Sequence, residues 1–321
     1  MTILDFEKPI AELEEKIAEL KSFGSDKNIA LEPEIKKLNE KLDKMRGEIY
    51  SNLTPWQRVQ IARHPDRPYT LDYIKMLTTD FVQMHGDRLF SDDLAMIAGM
   101  AKIDGIKVMI IGHQKGRDVN ENVKRNFGCA HPEGYRKAIR LMKMAEKFNL
   151  PIVVLIDTPG AYPGVGAEER GQAHAIAENL KDMSAITTPI IATVIGEGGS
   201  GGALGVGVAD HVHILQHAYY SVISPEGCAS ILWRNAVKAP DAARALKINS
   251  EYLIEFGICD SIVDEPLGGA HNDPSLVAEA LKKTILKSIA ELTQLSAEEL
   301  VEKRYQKFRA IGEYSEKTEV E

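Results

Sequence analysis

Seven glycines fall within the twelve residues from Gly196 to Gly207, and an apolar stretch that predicts a strand comes directly before them. A glycine has no Cβ, so its peptide N–H can approach a ligand or another backbone more closely than that of any other residue. A second irregular loop, at residues 157–171, also follows an apolar stretch and leads into a predicted helix. Two such turns facing one cleft would supply backbone donors for an oxygen that becomes negatively charged. The glycine run is therefore the first candidate for a functional site.

One motif that overlaps the glycine run is the dinucleotide-binding pattern GxGxxG, which Gly196, Gly198 and Gly201 satisfy. A nicotinamide site also needs an acidic residue about 20 positions later, at the end of the next strand. The next predicted strand ends at Gln216 and His217 instead. A dinucleotide site is therefore disfavoured.

A second overlapping motif is the nucleophile elbow GxSxG, centred on Ser200. Candidate partners follow in the order of a hydrolase triad, with Asp260 or Asp264 before His271. Against this interpretation, the glycine pairs on either side would hold the serine loosely, whereas a nucleophile needs its oxygen within hydrogen-bond reach of a base. A stand-alone serine hydrolase using Ser200 stays open as the alternative function.

The third interpretation of the glycine run is a backbone oxyanion hole. Adjacent glycine peptides can point their N–H groups at one oxygen, and the positive end of the helix that starts near Ala203 adds to the attraction. Each donor lowers the barrier by roughly 2.7 to 4 kcal/mol, so no catalytic side chain is required. A structural role, in which the glycines only allow close packing of helix and strand, also stays open. The residues assigned to the hole are Gly198, Gly199, Gly201, Gly202 and Ala203.

The loop at residues 157–171 combines prolines, which fix the backbone angle φ, with glycines, which tolerate conformations that other residues avoid. The loop is therefore predicted to be a shaped wall and not a random linker. Its residues assigned to substrate binding are Pro159, Gly160, Tyr162, Pro163, Gly164 and Gly166.

A short segment on the amino-terminal side of this loop is locally basic, with Lys115, Arg117, Lys124 and Arg125. On an acidic protein such a patch is by default a solvated surface. It also fits an anion site for a coenzyme phosphate or for an acidic carrier protein. Both interpretations stay open, and the four residues are counted as candidate substrate-binding residues.

Composition and charge argue against several classes of protein. The 321-residue chain carries a net charge of −8, which disfavours nucleic acid or an anionic membrane as the main partner. Its three cysteines form no CxxC pair, and His211 and His213 have no third ligand in view, so no metal site is predicted. The N-terminus is acidic and amphipathic, unlike a signal peptide, and no apolar run approaches about 18 residues. A soluble, cytoplasmic protein is therefore expected.

Two apolar stripes near the N-terminus, Ile10 to Leu20 and Ile35 to Ile49, recur at spacings of three and four residues. They predict a helical hairpin with a turn at Gly24 to Asp26. The hairpin would pack on the chain's own core or against a partner. The predicted domains are a helical hairpin at 1–55, a main domain at 56–310 and a frayed tail at 311–321.

The main domain alternates predicted strands and helices. Asp104-Gly105 between two apolar runs predicts a β-hairpin. Strands are predicted at 151–156, 189–195, 211–216 and 220–224, and helices at 132–148, 168–183 and over most of 274–308. This alternation indicates an α/β architecture with crossover connections.

With these residues in view, the chain closely resembles the α-subunit family of the bacterial acetyl-CoA carboxylase carboxyltransferase. The resemblance covers nearly the whole chain through the blocks FEKPIAELE, RHPDRPYTLDY, MIIGHQKGR, PEGYRKAIRLM, DTPGAYPGVGAEERGQ, IGEGGSGGAL, YSVISPEGCASILW and EPLGGAH. It implies a crotonase-like fold, which is a superhelix of ββα units, here with the N-terminal helical hairpin added. The alternation of strands and helices alone would not distinguish this fold from a doubly wound sheet.

The resemblance also implies a reaction, in which carboxybiotin on a biotin carboxyl carrier protein gives its carboxyl group to acetyl-CoA. The product is malonyl-CoA, and the reaction belongs to the first committed step of fatty acid synthesis. Two oxyanions need stabilisation, one on the biotin ureido oxygen and one on the thioester enolate, while deprotonated biotin can itself abstract the α-proton. By likeness, residues 198–203 would form the biotin-side hole, chiefly through Gly201 and Gly202, and the loop at 159–166 would shape the same wall.

The implied assembly is an α2β2 carboxyltransferase that works together with the carrier protein and a biotin carboxylase. The β subunit is expected to supply the thioester-side hole and to carry a zinc ribbon, which nothing in this sequence matches. The active site is expected at the α–β interface, so this chain alone would be inactive.

Overall fold

Strands and helices alternate along the chain in the computed structural model, which describes residues 2–27 and 31–312. The helices are α1 (Lys8–Lys27), α2 (Glu32–Ser51), α3 (Pro55–Ala62), α4 (Thr70–Leu77), α5 (Val119–Lys124), α6 (Pro132–Lys147), α7 (Val165–Glu169), α8 (Gln172–Ala185), α9 (Ser200–Leu204), α10 (Pro225–Trp233), α11 (Ala239–Leu246), α12 (Ser250–Glu255), α13 (Pro274–Leu292) and α14 (Ala297–Arg309). The strands are β1 (Thr79–Gln83), β2 (Met96–Ile103), β3 (Ile106–His113), β4 (Ile152–Thr158), β5 (Ile190–Gly199), β6 (His211–Leu215), β7 (Tyr219–Ser221) and β8 (Ser261–Val263).

Helices α1 and α2 form the predicted hairpin and bury their apolar stripes against each other, in a small core separate from the main one. The Tyr50 hydroxyl donates to Glu7 at 2.7 Å and Arg46 pairs with Glu14. Because these contacts join the beginning of α1 to the end of α2, the two helices are antiparallel. The predicted turn at Gly24 to Asp26 is wrong, because α1 continues to Lys27. A glycine inside a helix raises its free energy by only about 1 kcal/mol, which the neighbouring helical turns can offset.

Among the described residues, the strands form one mixed sheet of eight strands in the order β1-β2-β3-β4-β5-β6-β8, with β7 paired to β5 off this path. The pairs β1–β2 and β2–β3 are antiparallel, and the pairs from β3 onward are parallel. Asp104 and Gly105 join β2 to β3 with φ of +46° and +83°, as the predicted two-residue hairpin requires. The parallel strands place their carboxyl ends at one edge, where the loops that follow β4 and β5 meet.

Strand β5 is longer than predicted, because it continues past Ile195 to Gly199 and is buried along its whole length. Its first half pairs with β6 through Ile191 to Val194, and its last three residues pair with β7. Gly198 and Gly199 therefore lie in a strand, whereas Gly201 and Gly202 lie in α9.

Other element boundaries also differ from the sequence prediction. The helix predicted at 168–183 is two helices, α7 and α8, separated at Gly171, whose φ of +80° interrupts the helical geometry. The strand predicted at 220–224 ends at Ser221, because Ser224 caps α10. Of the predicted tail, residues 313–321 lie outside the described part of the chain. No helix within the described ranges is long and apolar enough to cross a bilayer.

Candidate functional site

The two loops predicted to face one cleft touch each other through bare backbone. A Cβ on Gly199 would lie 2.1 Å from the Pro159 carbonyl oxygen, and one on Gly202 would lie 2.4 Å from the Gly160 carbonyl carbon. Both distances are far shorter than a van der Waals contact, so glycine is required at both positions. The structure thus brings the loop after β4 and the glycine run together.

Helix α9 begins where β5 ends, and Gly199 caps it without a side-chain hydrogen bond. The first N–H groups of a helix have no partner within it and form its positive end. Of the five residues predicted for the hole, Gly201 is half-buried, whereas the other four are buried. A Cβ on Gly201 would meet only the tip of Ile176, at 3.8 Å. Gly201 is therefore the predicted hole residue that a ligand reaches most easily.

Helix α9 borders a cleft of about 490 Å³, a volume typical of small-molecule sites. Ser200, Gly201 and Leu204 line it from α9. Apolar side chains dominate the rest of the lining, among them Val212, Tyr220, Val222, Leu246, Ile248, Leu253, Phe256, Ile258, Phe308 and Ile311. The predicted loop residues from Pro159 to Gly166 are not part of this lining, and the loop contacts α9 at Gly202 instead.

Ser200 is exposed and has a φ of +52°, a left-handed conformation that raises the free energy of a non-glycine residue by roughly 1 to 2 kcal/mol. In the described part of the chain, no hydrogen bond joins its hydroxyl to a histidine. Its predicted partners are engaged elsewhere, since Asp260 accepts from the Val212 N–H at 2.6 Å and His271 stacks on His64 at 3.9 Å. The geometry therefore gives Ser200 no base to activate it as a nucleophile.

Lys115 lies beneath the two loops, with its side chain only 12% exposed. Its ammonium donates to Asp157 at 2.7 Å and to Glu197 at 2.8 Å, and Arg63 pairs with the other oxygen of Glu197 at 2.7 Å. Burial by itself would raise the pKa of Glu197, but Lys115 and Arg63 outweigh it and lower that pKa to about 2. Asp157 is near the end of β4 and Glu197 near the end of β5, so Lys115 ties together the strand ends from which both loops start.

The other basic residues of the segment 115–125 differ in whether their charged groups already have partners within the chain. Arg117 lies over the Tyr69 ring at 3.9 Å and pairs with Asp72. Arg125 donates to the Leu94 carbonyl at 2.9 Å. Lys124 is exposed and forms no ion pair with any described residue. Lys115, Arg117 and Arg125 therefore already interact with other residues of the chain. Lys124 is the basic residue of this segment whose charge is available to bind an anion.

Sequence reasoning missed three fully buried polar residues around α9: His113, Tyr135 and Asn179. The Tyr135 hydroxyl donates to the Gly202 carbonyl at 3.3 Å, and the Asn179 amide donates to the Gly205 carbonyl at 2.9 Å. Burial, helped by the Lys115 charge, lowers the pKa of His113 to about 3, so its ring is neutral. The sequence signal for His113 was a single polar residue at the end of an apolar strand.

An exposed apolar surface lies beyond the cleft, on α10 and the turn after it. Ile231 is 72% exposed, Leu232 64% and Val237 83%, and Trp233 lies between them in sequence. We name these four residues the α10 face. The exposed Val222, which also lines the cleft, precedes α10 in sequence. Several large apolar side chains exposed on one short segment are typical of an interaction surface.

Comparison with known proteins gives the family. The model of the family described as acetyl co-enzyme A carboxylase carboxyltransferase-like matches residues 3–312. A relative from Geobacter metallireducens, named acetyl-coenzyme A carboxylase carboxyl transferase subunit alpha, is 57% identical over 98% of this chain and 98% of its own. A protein of the same name from Pseudomonas paraeruginosa is 56% identical over 96% of this chain and 98% of its own.

Solved structures show the same fold at lower identity. The transcarboxylase 12S core superposes with a TM-score of 0.54 at 22% identity, over 68% of this chain and 42% of that one. The β subunit of geranyl-CoA carboxylase from P. aeruginosa gives 0.55 at 16% identity, over 77% and 46%. The crotonase-like fold and the family resemblance predicted from the sequence are both confirmed, and the serine hydrolase alternative finds no support. The chain belongs to the acetyl co-enzyme A carboxylase carboxyltransferase-like family.

Proposed function

We propose that this chain is the α subunit of a carboxyltransferase that moves the carboxyl group of carboxybiotin, held on a carrier protein, to acetyl-CoA. The observation that carries the proposal is the Gly201 peptide, which is accessible at the positive end of α9 and borders an apolar cleft. The near-identical length and the shared name of the bacterial relatives support it.

In this proposal the backbone N–H groups at the start of α9 donate to the biotin ureido oxygen. Negative charge develops on that oxygen as the carboxyl group leaves, and a fixed donor in an apolar cleft stabilises it more than bulk water would. Carboxybiotin supplies the carboxyl group, and deprotonated biotin supplies the base for the α-proton of acetyl-CoA. Gly201 is the leading donor, and Gly202, whose Cα packs under the Gly160 backbone, holds the helix in place.

The loop at 159–166 then acts mainly as a support for α9. Pro159 and Gly160 contact Gly199 and Gly202, and the Tyr162 N–H donates to the Ala130 carbonyl at 3.0 Å. Direct contacts of Tyr162, Pro163, Gly164 and Gly166 with biotin remain predictions. A coenzyme phosphate contact also remains a prediction, and Lys124 is its best candidate because its charge is free.

The proposal needs a second subunit, because the described residues offer one candidate hole and the reaction creates two oxyanions. We assign the α10 face as a docking surface for that β subunit, because Val222 connects the segment to the cleft and so to the reacting groups. An α2β2 assembly, a zinc ribbon on the β subunit and supply of carboxybiotin by a biotin carboxylase complete the proposal. Free thiols at Cys129, Cys228 and Cys259 suit a cytoplasmic location.

The test is Gly201→Val, assayed for malonyl-CoA formation in the reconstituted complex. A Cβ at this position makes only an ordinary contact with Ile176, and a branched side chain next to the peptide would hinder the approach to its N–H, so we expect a loss of about 10²-fold or more in kcat with assembly intact. Gly47→Val is the matched control, since a Cβ at that helical glycine meets nothing within 4 Å and lies in the hairpin. Wild-type turnover in Gly201→Val would overturn the assignment.

Gly202→Val is a poor test, because its Cβ would clash with the Ala161 backbone nitrogen at 2.5 Å and disturb the fold. Ser200→Ala separates the proposal from the hydrolase alternative. The carboxyltransferase should keep at least about half of its activity, since Ser200 has no base, and the isolated chain should not react with a fluorophosphonate probe. Labelling of Ser200 by the probe would revive the hydrolase.

A further inference from the structure

Helix α9 is too short to hold its own shape. It has five residues, two of which are glycines, and its N-cap residue Gly199 provides no side-chain bond. Isolated helices shorter than about 12 residues are marginal in water, and each glycine adds about 1 kcal/mol against the helical state. Contacts from outside the helix must therefore hold it at the mouth of the cleft.

Two fully buried side chains make such contacts with the main-chain carbonyls of α9 and its C-cap. Tyr135, on α6, donates its hydroxyl to the Gly202 carbonyl at 3.3 Å. Asn179, on α8, donates its amide to the Gly205 carbonyl at 2.9 Å and to the Tyr135 carbonyl at 3.1 Å. Asn179 thus links the C-terminal end of α9 to the same helix that carries Tyr135.

The direction of the hydrogen bonds to the α9 carbonyls determines which other groups of the helix they orient. In a trans peptide the C=O and N–H bonds point in opposite directions, and in a helix all the carbonyls point toward the C-terminus. Fixing the Gly202 and Gly205 carbonyls therefore fixes the axis of α9, and with it the direction of the Gly201 N–H, whereas Ser200, with its φ of +52°, lies outside the helical geometry. Gly201 is one of the residues that line the cleft.

We propose that Tyr135 and Asn179 are positioning residues, which act through the Gly202 and Gly205 carbonyls to aim the Gly201 N–H into the cleft. The inference rests on the proposed function, because the aim matters for catalysis only if that N–H group binds an oxyanion. The Tyr135 ring supports the same assignment, since a Cβ on Gly205 would lie 2.9 Å from its Cε1 atom. The ring thus packs against the residue that ends α9.

The first test is hydrogen–deuterium exchange of the full chain carrying Tyr135→Phe, followed on a peptide that contains residues 200–205. This substitution keeps the ring and removes only the hydroxyl, so the fold should survive while the α9 amides exchange at least about fivefold faster. Tyr73→Phe is the matched control, because the Tyr73 hydroxyl is equally buried and has no hydrogen-bond partner in the described chain. Unchanged exchange in Tyr135→Phe would overturn the inference whatever the reaction is.

Asn179→Ala removes both amide donors and should accelerate exchange of the same peptide. This variant leaves the buried Gly205 carbonyl without its side-chain donor and can fail to fold, in which case the Tyr135→Phe result decides the inference.

The second test measures turnover in the reconstituted complex, well below the melting temperature. A misaimed donor weakens transition-state binding, so Tyr135→Phe should lower kcat by about tenfold while KM for acetyl-CoA changes by less than about twofold. A purely structural role would leave kcat of the folded complex unchanged. If Gly201→Val is inactive, faster exchange together with an unchanged kcat in Tyr135→Phe contradicts the catalytic part of the inference. If Gly201→Val is active too, the proposed function fails and the positioning of α9 still stands.

Discussion

Lys115 illustrates how the role of a charged residue depends on partners that lie far away in sequence. Its neighbours along the chain are basic, which predicted a solvated surface or an anion site. Its actual partners, Asp157 and Glu197, are 42 and 82 residues further on. The two carboxylates at hydrogen-bond distance neutralise the ammonium, so it would attract a coenzyme phosphate only weakly. We therefore interpret Lys115 as a tie between strand ends.

This interpretation predicts the phenotype of Lys115→Met. Removing one partner of a buried ion pair leaves carboxylates uncompensated, so the free energy of unfolding should fall by about 3 to 5 kcal/mol. Urea unfolding measures the loss, and the exposed Lys124→Met should change stability by less than about 0.5 kcal/mol. A Lys115→Met chain with normal stability and a raised KM for acetyl-CoA would instead identify a coenzyme contact.

At the scale of elements, the sequence predicted those structures whose signal is local. The Asp104-Gly105 turn, helix α6 and the hairpin of α1 and α2 each follow from residues within a few positions of one another. The end of β5 could not be predicted, because Gly198 and Gly199 are held extended by distant partners: both pair with β7, about 20 residues later, and Gly198 also pairs with Thr158 of β4. The candidate site shows the same limit. The glycine run is visible in the sequence, but Tyr135 on α6 and Asn179 on α8, which hold α9, are distant in sequence and could not be predicted.

The α10 face yields a prediction about assembly. Leu232→Asp puts a charge in the centre of the proposed contact with the β subunit, and burying an unpaired charge should weaken association by at least about 100-fold. Analytical ultracentrifugation or co-purification with the partner measures the effect. Leu276→Asp is the matched control, since Leu276 is similarly exposed but lies on α13. Equal association of both variants would exclude the α10 face from the interface.

The whole molecule buries several histidines in the neutral form, and this makes its stability depend on pH. Burial is the main reason why the pKa of His113 is lowered to about 3 and the pKa values of His213 and His217 are lowered to about 4. In the unfolded chain a histidine has a pKa of about 6.5, so between these values the unfolded state binds more protons than the native state. Stability is therefore complete above about pH 6.5 and falls as the pH drops toward 4.

The expected slope is large enough to measure. Burial also lowers the pKa of His271 to about 4. Each of the four histidines contributes at most about 1.4 kcal/mol per pH unit, so together they approach about 5 kcal/mol per unit near pH 5. Urea midpoints at several pH values test this, and His213→Gln should reduce the slope by one histidine's share. The exposed His174→Gln should leave it unchanged, and an equal slope in all three proteins would refute the assignment.

The backbone contact between Gly199 and Pro159 has a consequence for how this protein can evolve. At 2.1 Å from the Pro159 oxygen there is no room for even one methyl group, so a mutation of Gly199 survives only if the neighbouring loop shifts as well. The two segments are thus expected to diverge jointly or to stay fixed, and homologues that differ at one of them should differ at the other.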